Sequence, residues 1–313
     1  MAIDQATLDF LAKNYGSEAA WYTNPEIGPV LVAALTAGKN KTALTGARFQ
    51  DFIRTHAVDA TGKVVQVAAD QSWFGKNSAS VRTKMAEENN DPATFKDNVK
   101  RLYDETASLA QSKGVKLDEA SLQKIAKDSY INGWTSTQLD NALVAQYHYD
   151  TKAPTSGTAG KALSDFQSIA RKYGVVLPND PTQMENFIKG AIGQNGTEED
   201  FTNYAKEQAK IAFPWMNKAI DAGVTPQGYL APYATVVSNT LGIPSDAIDW
   251  SQPKWQSLVK KGDPNHPELW TPATTDDVMK KIKTDPQYGF DYTPEGRKTG
   301  ADFAAQLKQM FGY

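Results

Sequence analysis

The chain has 313 residues and a mass of 34.2 kDa, with 40% hydrophobic and 22% charged residues, a mean hydropathy of -0.51 and a formal charge of -3. This length suggests about two domains with sizeable cores. Without an apolar run of about 18 residues, no membrane span is expected, and a pI near 5.7 argues against nucleic acid as a main partner, because phosphate binding needs a basic face.

The chain contains no cysteine, which excludes disulfides, thiolate metal sites and thiol nucleophiles. Its first residues, MAIDQATLDFLAKNYG, alternate polar and apolar side chains at helical spacing. They lack the basic start and apolar run of a secretory signal, so we expect them to begin the folded protein as a helix.

Pairs of a capping residue and a proline recur along the chain and predict helix starts. The capping oxygen accepts a hydrogen bond from a free backbone N–H, and proline suits the first helical position because its missing N–H has no partner there. Apolar residues at helical spacing follow, such as Phe303, Leu307 and Met310 near the carboxyl end. The series predicts an all-α, multi-helix array. The pairs are Asp91-Pro92, Asp180-Pro181, Thr225-Pro226, Asp285-Pro286 and Thr293-Pro294.

Two segments interrupt the helical pattern. Alternating residues after the Thr61-Gly62 turn predict at most a short strand or extended segment near residues 63–68. Residues 151–160, TKAPTSGTAG, are small and polar and read as a linker. We therefore expect an N-terminal helical domain over residues 1–150 and a C-terminal helical domain over residues 161–313.

A degenerate repeat crosses the linker and predicts that the two halves are related. LAQSKGVKL, from Leu109, and IARKYGVVL, from Ile169, each end a helix at glycine and continue with valine, one residue and leucine. A second helix and a capped third helix follow in each half. The caps are Thr135 with Gln138 and Thr197 with Asp200, and Leu139 and Phe201 take equivalent apolar positions. The alternative is that helical hairpins resemble one another by composition.

No motif predicts a catalytic, cofactor-binding or metal site. The histidines His56, His148 and His266 lie far apart in sequence, and no metalloprotease, nucleophile-elbow, phosphate-loop or dinucleotide motif is present. One alternative stays open: Glu18 lies beside Trp21 and Tyr22, and a glutamate near aromatic rings is how a glycosidase raises the pKa of its acid. The usual fate of a helix glutamate is solvation.

Large aromatic side chains are the candidate interface residues, because tryptophan is favoured where proteins contact each other. They fall mostly at predicted turns and helix ends, where such rings also hold helix corners together. The candidates are Trp73, Phe74, Trp134, Trp215, Trp250, Trp255 and Trp270.

Several of these segments together resemble a helical module of virion proteins from tailed phages, especially those of actinobacteria. The resemblance covers most of the chain, and relative to that pattern residues 54–72 are an insertion before Trp73. The family brings no known catalytic residues. The matching pieces of the amino half are Pro25-Glu26-Ile27-Gly28-Pro29-Val30-Leu31, Phe49-Gln50, Trp73-Phe74, Ser78-Ala79-Ser80-Val81-Arg82, Asp91-Pro92-Ala93, Leu117 and Gly133-Trp134-Thr135; those of the carboxyl half are Phe213-Pro214-Trp215, Gly223-Val224-Thr225-Pro226, Pro232-Tyr233 and Asp285-Pro286-Gln287-Tyr288-Gly289.

The resemblance implies a structural part of a virion, made in the host cytoplasm, with other virion proteins as partners in a symmetric assembly. We therefore expect a non-enzymatic tail or internal particle protein without a cofactor. The alternatives are a virion-associated peptidoglycan hydrolase of transglycosylase type and a cellular helical scaffold.

We predict that far-ultraviolet circular dichroism will show helix in roughly two thirds of the residues, about twice the usual share of a globular protein. The reason is the dense series of caps followed by helical periodicity. A spectrum dominated by strand would contradict the fold assignment.

Overall fold

The computed structural model describes residues 5–16, 23–36, 44, 46–153, 155–193, 198–263 and 265–311. Helical residues, 3-10 turns included, make up 73% of this part of the chain, and the strands form only two short two-stranded sheets. The predicted all-α fold is thus confirmed. None of the described helices is both long enough and apolar enough to cross a bilayer.

The chain divides into two compact units, residues 1–146 and 147–313. The division falls a few residues before the predicted boundary at 150, and the first helix of the second unit begins at Gly157, inside the segment predicted to be a linker. The helices and strands of the first unit are α1 (Gln5–Tyr15), α2 (Gly28–Thr36), α3 (Gly46–Thr55), β1 (His56–Val58), β2 (Val64–Gln66), α4 (Trp73–Lys76), α5 (Ala79–Asn90), α6 (Pro92–Lys113), α7 (Glu119–Asn132) and α8 (Ser136–Ala145).

The extended segment predicted near residues 63–68 is the second strand of a hairpin. β2 pairs antiparallel with β1, and His56 lies opposite Gln66. The turn is closed by Asp59, whose carboxylate accepts hydrogen bonds from the backbone N–H groups of Thr61 and Lys63 at 2.8 and 3.0 Å. These bonds lower the pKa of Asp59, with the Thr61 hydroxyl contributing most.

The core of the first unit contains apolar side chains from α1, α2, α3 and α4. Leu11, Val30, Phe49 and Ile53 are fully buried there. The Trp73 ring closes this core, with its centre 4.8 Å from that of Tyr15. Burial of such side chains is the main stabilising contribution to a helical unit of this kind.

A buried arginine connects three helices around this core. Arg82 on α5 is 8% exposed, and its Nε donates to Asn14 Oδ1 on α1 at 2.9 Å. Its Nη1 donates to the carbonyl oxygens of Phe74, at 3.0 Å, and Asn77. These carbonyls lie at the carboxyl end of α4, where backbone oxygens lack helical partners and a positive charge is favourable.

The Arg82 guanidinium also lies over an aromatic ring. Its central carbon is 3.7 Å from the centre of the Phe74 ring, and that of Arg54 is 5.0 Å from the same centre. Burial lowers the pKa of Arg82, yet an arginine keeps its charge at neutral pH. The side chain therefore combines a cation–π contact with hydrogen bonds to uncharged oxygens.

The helices α6, α7 and α8 form an array with glycine and side-chain caps. Gly133, at φ +60°, ends α7, and Thr135 with Gln138 forms the predicted capping box of α8. Inside the array, Lys113 and Asp140 form a buried ion pair at 2.8 Å. Breaking such a pair by removing one partner leaves an uncompensated charge in the interior.

The second unit packs its amino-terminal helices through a cluster of phenylalanines. Phe166 on α9 stacks on Phe201 on α11 with ring centres 4.4 Å apart, and Phe187 on α10 meets Phe201 edge to face at 5.2 Å. The elements of this unit are α9 (Gly157–Tyr173), α10 (Pro181–Ile192), α11 (Glu199–Ala212), α12 (Asn217–Asp221), α13 (Pro226–Tyr229), α14 (Ala231–Leu241), α15 (Pro253–Val259), β3 (Lys260–Lys261), β4 (Thr271–Pro272), α16 (Thr275–Thr284) and α17 (Pro294–Phe311).

The capping residues of the five predicted cap–proline pairs all start helical turns. Asp91, Asp180 and Thr225 accept hydrogen bonds from backbone N–H groups at the starts of α6, α10 and α13. Asp285 does so for a 3-10 turn over residues 286–288, and Thr293 for α17. Each helix then begins at the proline, as expected for a residue that lacks an N–H.

The first turn of the predicted repeat is locally the same in both units. Gly114 and Gly174 end α6 and α9 in the left-handed conformation, at φ +78° and +62°. The next residues, Val115 and Val175, are buried, and their N–H groups reach back five residues to Ala110 and Ala170 at 2.8 and 3.0 Å. This is the Schellman geometry that glycine favours.

Further along, the two copies differ. Gly133 ends α7 in the left-handed conformation, whereas Gly193 after α10 has an extended backbone, at φ -65°. Leu139 and Phe201 are both buried, but Gly196 and Thr197 lie outside the described residues. The duplication as a whole stays a prediction.

We predict that Arg82→Ala will loosen the junction of α1, α4 and α5 by about 2–4 kcal/mol, because it leaves buried carbonyls without donors. In hydrogen exchange followed by mass spectrometry, amides of residues 72–90 should exchange about 30-fold faster or more. Arg48→Ala, which removes an exposed arginine of α3, is the matched control. Equal protection in both variants would contradict a central role for Arg82.

Candidate interaction surface

Three of the predicted interface aromatics lie in the interior. Trp73, Trp250 and Trp255 are 7%, 3% and 6% exposed. These rings hold helix ends together inside their own units, so their burial gives no support to a place at an interface. Position at a helix end did not distinguish an inward ring from an outward one.

The other predicted aromatics are half-buried and already contacted. Phe74 lies between two arginines, and the Trp270 indole N–H donates to the Asp263 carbonyl at 2.9 Å while Lys260 Nζ sits 4.4 Å from the ring centre. Trp215 packs edge to face on Phe213, and its indole nitrogen is buried without a hydrogen-bond partner. Trp134 is half-buried after the glycine that ends α7. None of these rings stands free from the surface.

Lys260 is a half-buried cation in an aromatic setting. Its Nζ donates to Gln256 Oε1 at 3.2 Å and lies 5.8 Å from the Phe213 ring centre, and burial lowers its pKa. Its contacts are those of a side chain that holds the β3–β4 bridge against the helices.

Two large, exposed apolar side chains lie on the same face of α17. Phe303 and Met310 are 59% and 70% exposed, and Leu307 between them is half-buried. Together with Gly300, these residues follow each other at spacings of three and four, so they form one stripe along the helix. We call residues 300, 303, 307 and 310 the ridge.

The base of α17 is fixed, whereas the ridge is open. Thr293 Oγ1 caps the helix by accepting from the Gly296 N–H at 3.0 Å, and Lys283 pairs with Glu295 at 2.8 Å. Gly296 lies so close to the turn before the helix that an added Cβ would be 2.2 Å from the Phe290 carbonyl oxygen. From residue 297 onward, every described side chain except that of Leu307 is exposed.

Part of the border of the ridge is uncharged. Asp302 pairs with Lys298 at 3.6 Å, and both side chains are largely exposed, so the pair contributes little to stability. Ala304 and Gln306 flank the ridge without charge. An uncharged border suits a surface that loses water on contact.

The second unit also has an open groove of about 340 Å³. Ala231 and Ala234 of α14 supply small side chains, and Ile248 and Trp250 supply an apolar wall. Arg171 lies at its edge, where one Nη2 hydrogen bond reaches the Asp246 carbonyl oxygen at 2.8 Å. We call this feature the groove.

The histidine and acidic side chains that could bind a metal or act in catalysis have structural contacts instead. In the described part of the chain, no three His, Asp or Glu side chains come together as a metal site. His56 stacks on Phe52 at 3.8 Å, and His148 lies on the surface, paired with Glu185 at 2.8 Å. Glu18, Trp21 and Tyr22, which carried the hydrolase alternative, lie outside the described residues.

An acid pair lies at the start of α11. Burial, followed by a hydrogen bond with Asp165, raises the pKa of Glu198, while the Lys161 ammonium lowers that of Asp165. Acids held at different pKa values can serve proton transfer. Here both are half-buried beside a helix amino terminus, where negative charge is favoured, and Lys161 balances them.

A hydroxyl cluster joins α15 to the turn before α17. The Ser257 and Tyr288 oxygens lie 2.8 Å apart, and both can donate to the Lys254 carbonyl, at 2.8 and 3.1 Å. Lys281 Nζ donates to the Ser257 carbonyl at 2.9 Å. With their hydrogen bonds directed at backbone oxygens, these groups connect elements of the fold.

Comparisons of the chain with models of protein families, with curated proteins and with solved structures found no match. The ridge and the groove thus stand on the geometry of this chain alone. The sequence did indicate the apolar spacing of Phe303, Leu307 and Met310, but periodicity identifies a face without saying what covers it. The groove has no sequence signal, because its residues come from three separate segments.

We predict that the ridge variant, Phe303→Glu with Met310→Glu, will keep the melting temperature of wild type within about 2 °C, because exposed positions contribute little to stability. The control Trp255→Ala should lower it by roughly 10 °C, since it empties a buried site. Differential scanning calorimetry measures both. A large loss in the ridge variant would mean that α17 packs on its own chain.

Proposed function

We propose that the chain is a non-enzymatic structural component of a tailed-phage virion, in the tail or inside the particle, and that it acts through protein–protein contacts. The single observation that carries the contact role is the ridge, an apolar stripe on a helix whose base is fixed and whose remaining length is exposed. A helix of this kind suits insertion into a groove, with anchors at spacings of three and four.

The virion assignment is supported by the resemblance described above. Several of the residues that carry it have local structural roles: Trp73 closes a core, Ser78 caps α5 through its hydroxyl, and Arg82 connects three helices. Asp91 and Thr135 cap α6 and α8. What the resemblance supports is therefore a common scaffold, consistent with a protein whose role is to be a building block.

We predict that the tagged chain, expressed during infection by the phage that carries its gene, will co-purify with particles on a density gradient. The ridge variant should be incorporated at least tenfold less, because an interface hot spot contributes roughly 2 kcal/mol or more. Ile211→Glu, at an apolar side chain of α11 that is 69% exposed, is the matched control and should be incorporated like wild type.

The same particles separate the alternatives. Peptidoglycan zymography should show no wall release from wild type or from Glu18→Gln. Wall release by wild type that is lost in Glu18→Gln, with incorporation intact, would establish the hydrolase instead. Failure of the wild-type chain to enter particles would favour a cellular scaffold and overturn the proposal.

A further inference from the structure

The second unit carries both an exposed ridge and an open groove, and they do not occupy each other within one chain. α17 packs on the turn at residues 290–292, and no residue of α17 lines the groove. We propose that the ridge of one copy docks into the groove of a second copy, so that copies of this chain join head to tail. This names the partner of the ridge, and it rests on the contact role proposed above.

The size of the ridge argues against pairing of two ridges. Residues 300–311 span about 18 Å of helix at 1.5 Å per residue. An apolar seam that supports a two-helix coiled coil runs over three to four heptads, whereas Gly300, Phe303, Leu307 and Met310 cover fewer than two. A stable interface buries about 800 Å² on each partner, which a pair of such short stripes does not reach. A groove instead surrounds the side chains that project from the helix.

The dimensions of the groove suit side chains that project from a helix. Its volume of about 340 Å³ lies at the lower end of the range for binding pockets, about 300–1,000 Å³, so it can take a few large side chains but not a helix backbone. The small side chains of Ala231 and Ala234 leave the surface of α14 flat, which allows a second helix to approach closely. Phe303 and Leu307 would fill the space against Ile248 and Trp250.

The groove is lined by one basic and one acidic residue, Arg171 and Asp246, and the basic one is complementary to an acid beside the ridge. Arg171 stands at the edge of the groove and takes part in none of the ion pairs of the described residues; its recorded bond is to a backbone carbonyl. Asp302 directly precedes Phe303 and has only a loose, exposed pair with Lys298. A docked ridge would bring the Asp302 carboxylate to the Arg171 guanidinium, where a bidentate contact is favourable.

A ridge-to-groove contact joins two different surfaces, so it is heterologous. Such contacts close into rings when the rotation between copies allows it and otherwise extend as chains. The wild-type protein should therefore oligomerise at micromolar concentration. A variant that lacks the ridge or the groove should remain monomeric.

Complementary variants test this directly by sedimentation velocity at concentrations up to about 100 µM. The ridge variant, Phe303→Glu with Met310→Glu, and the groove variant, Ala231→Trp, should each be monomeric and keep the wild-type circular dichroism spectrum. Their equimolar mixture should form a one-to-one dimer that grows no further, because only one ridge and one groove remain. Ile211→Glu should oligomerise like wild type.

The second test reverses the charges of Arg171 and Asp302 in separate variants. Arg171→Glu should weaken self-association at least tenfold, and mixing it with Asp302→Arg should restore association between the two variants. A groove variant that still self-associates like wild type would show that ridge pairs with ridge and overturn the proposal. A mixture of ridge and groove variants that stays monomeric while wild type oligomerises would overturn it as well.

Wild type that remains monomeric at about 100 µM would overturn self-docking as well. If the ridge variant is then still excluded from particles, the proposed contact role stands with a different partner. If wild type oligomerises through ridge and groove but never enters particles, the virion assignment fails and the self-contact holds.

Discussion

The first unit depends on one buried charge. Arg82 donates to an asparagine of α1 and to two carbonyls at the end of α4, while its own helix, α5, begins four residues earlier at the Ser78 cap. Removing such a side chain leaves several oxygens unsatisfied at once, because all of them lie where water is excluded. The Phe74 ring, stacked beneath the guanidinium, and the Trp73 ring, in the core, then have fixed positions on either side of the same short helix.

The sequence predicted the features that depend on neighbouring residues, such as helix caps. It did not predict contacts between residues that are far apart in the chain. Capping pairs such as Asp91-Pro92 and Thr293-Pro294 start helices where expected, because an N-cap needs only its own neighbours in the chain. The hairpin strand at Val64–Gln66 was likewise evident from alternation after a turn. Arg82 could not be recognised as a central residue, since Asn14 lies 68 positions away.

The aromatic residues show a related limit, because local sequence does not predict whether a ring points into the core or towards the surface. Trp250 and Trp270 occupy similar surroundings in the sequence, among turn formers near helix ends, yet one is 3% exposed and the other is half-buried beside Lys260. Local sequence indicates that a ring closes a corner, while its direction depends on which helix packs across it. The ridge of α17 was visible as a period in the sequence, but its exposure to solvent depends on how the described elements pack, which periodicity does not report.

The glycines of α17 set how firmly the ridge is held. An isolated helix of about 12–15 residues is marginal in water, and a glycine in its interior costs about 1 kcal/mol relative to alanine. The side chains of residues 297–310 have little packing to offset this, and Gly300 lies among these residues. We therefore expect this arm to be partly uncoiled in a free copy, and the proposed docking would have to supply the ordering free energy. If copies dock through this arm as proposed, the contact should be reversible at low concentration and become firm only when many copies accumulate, so that misplaced contacts can separate again.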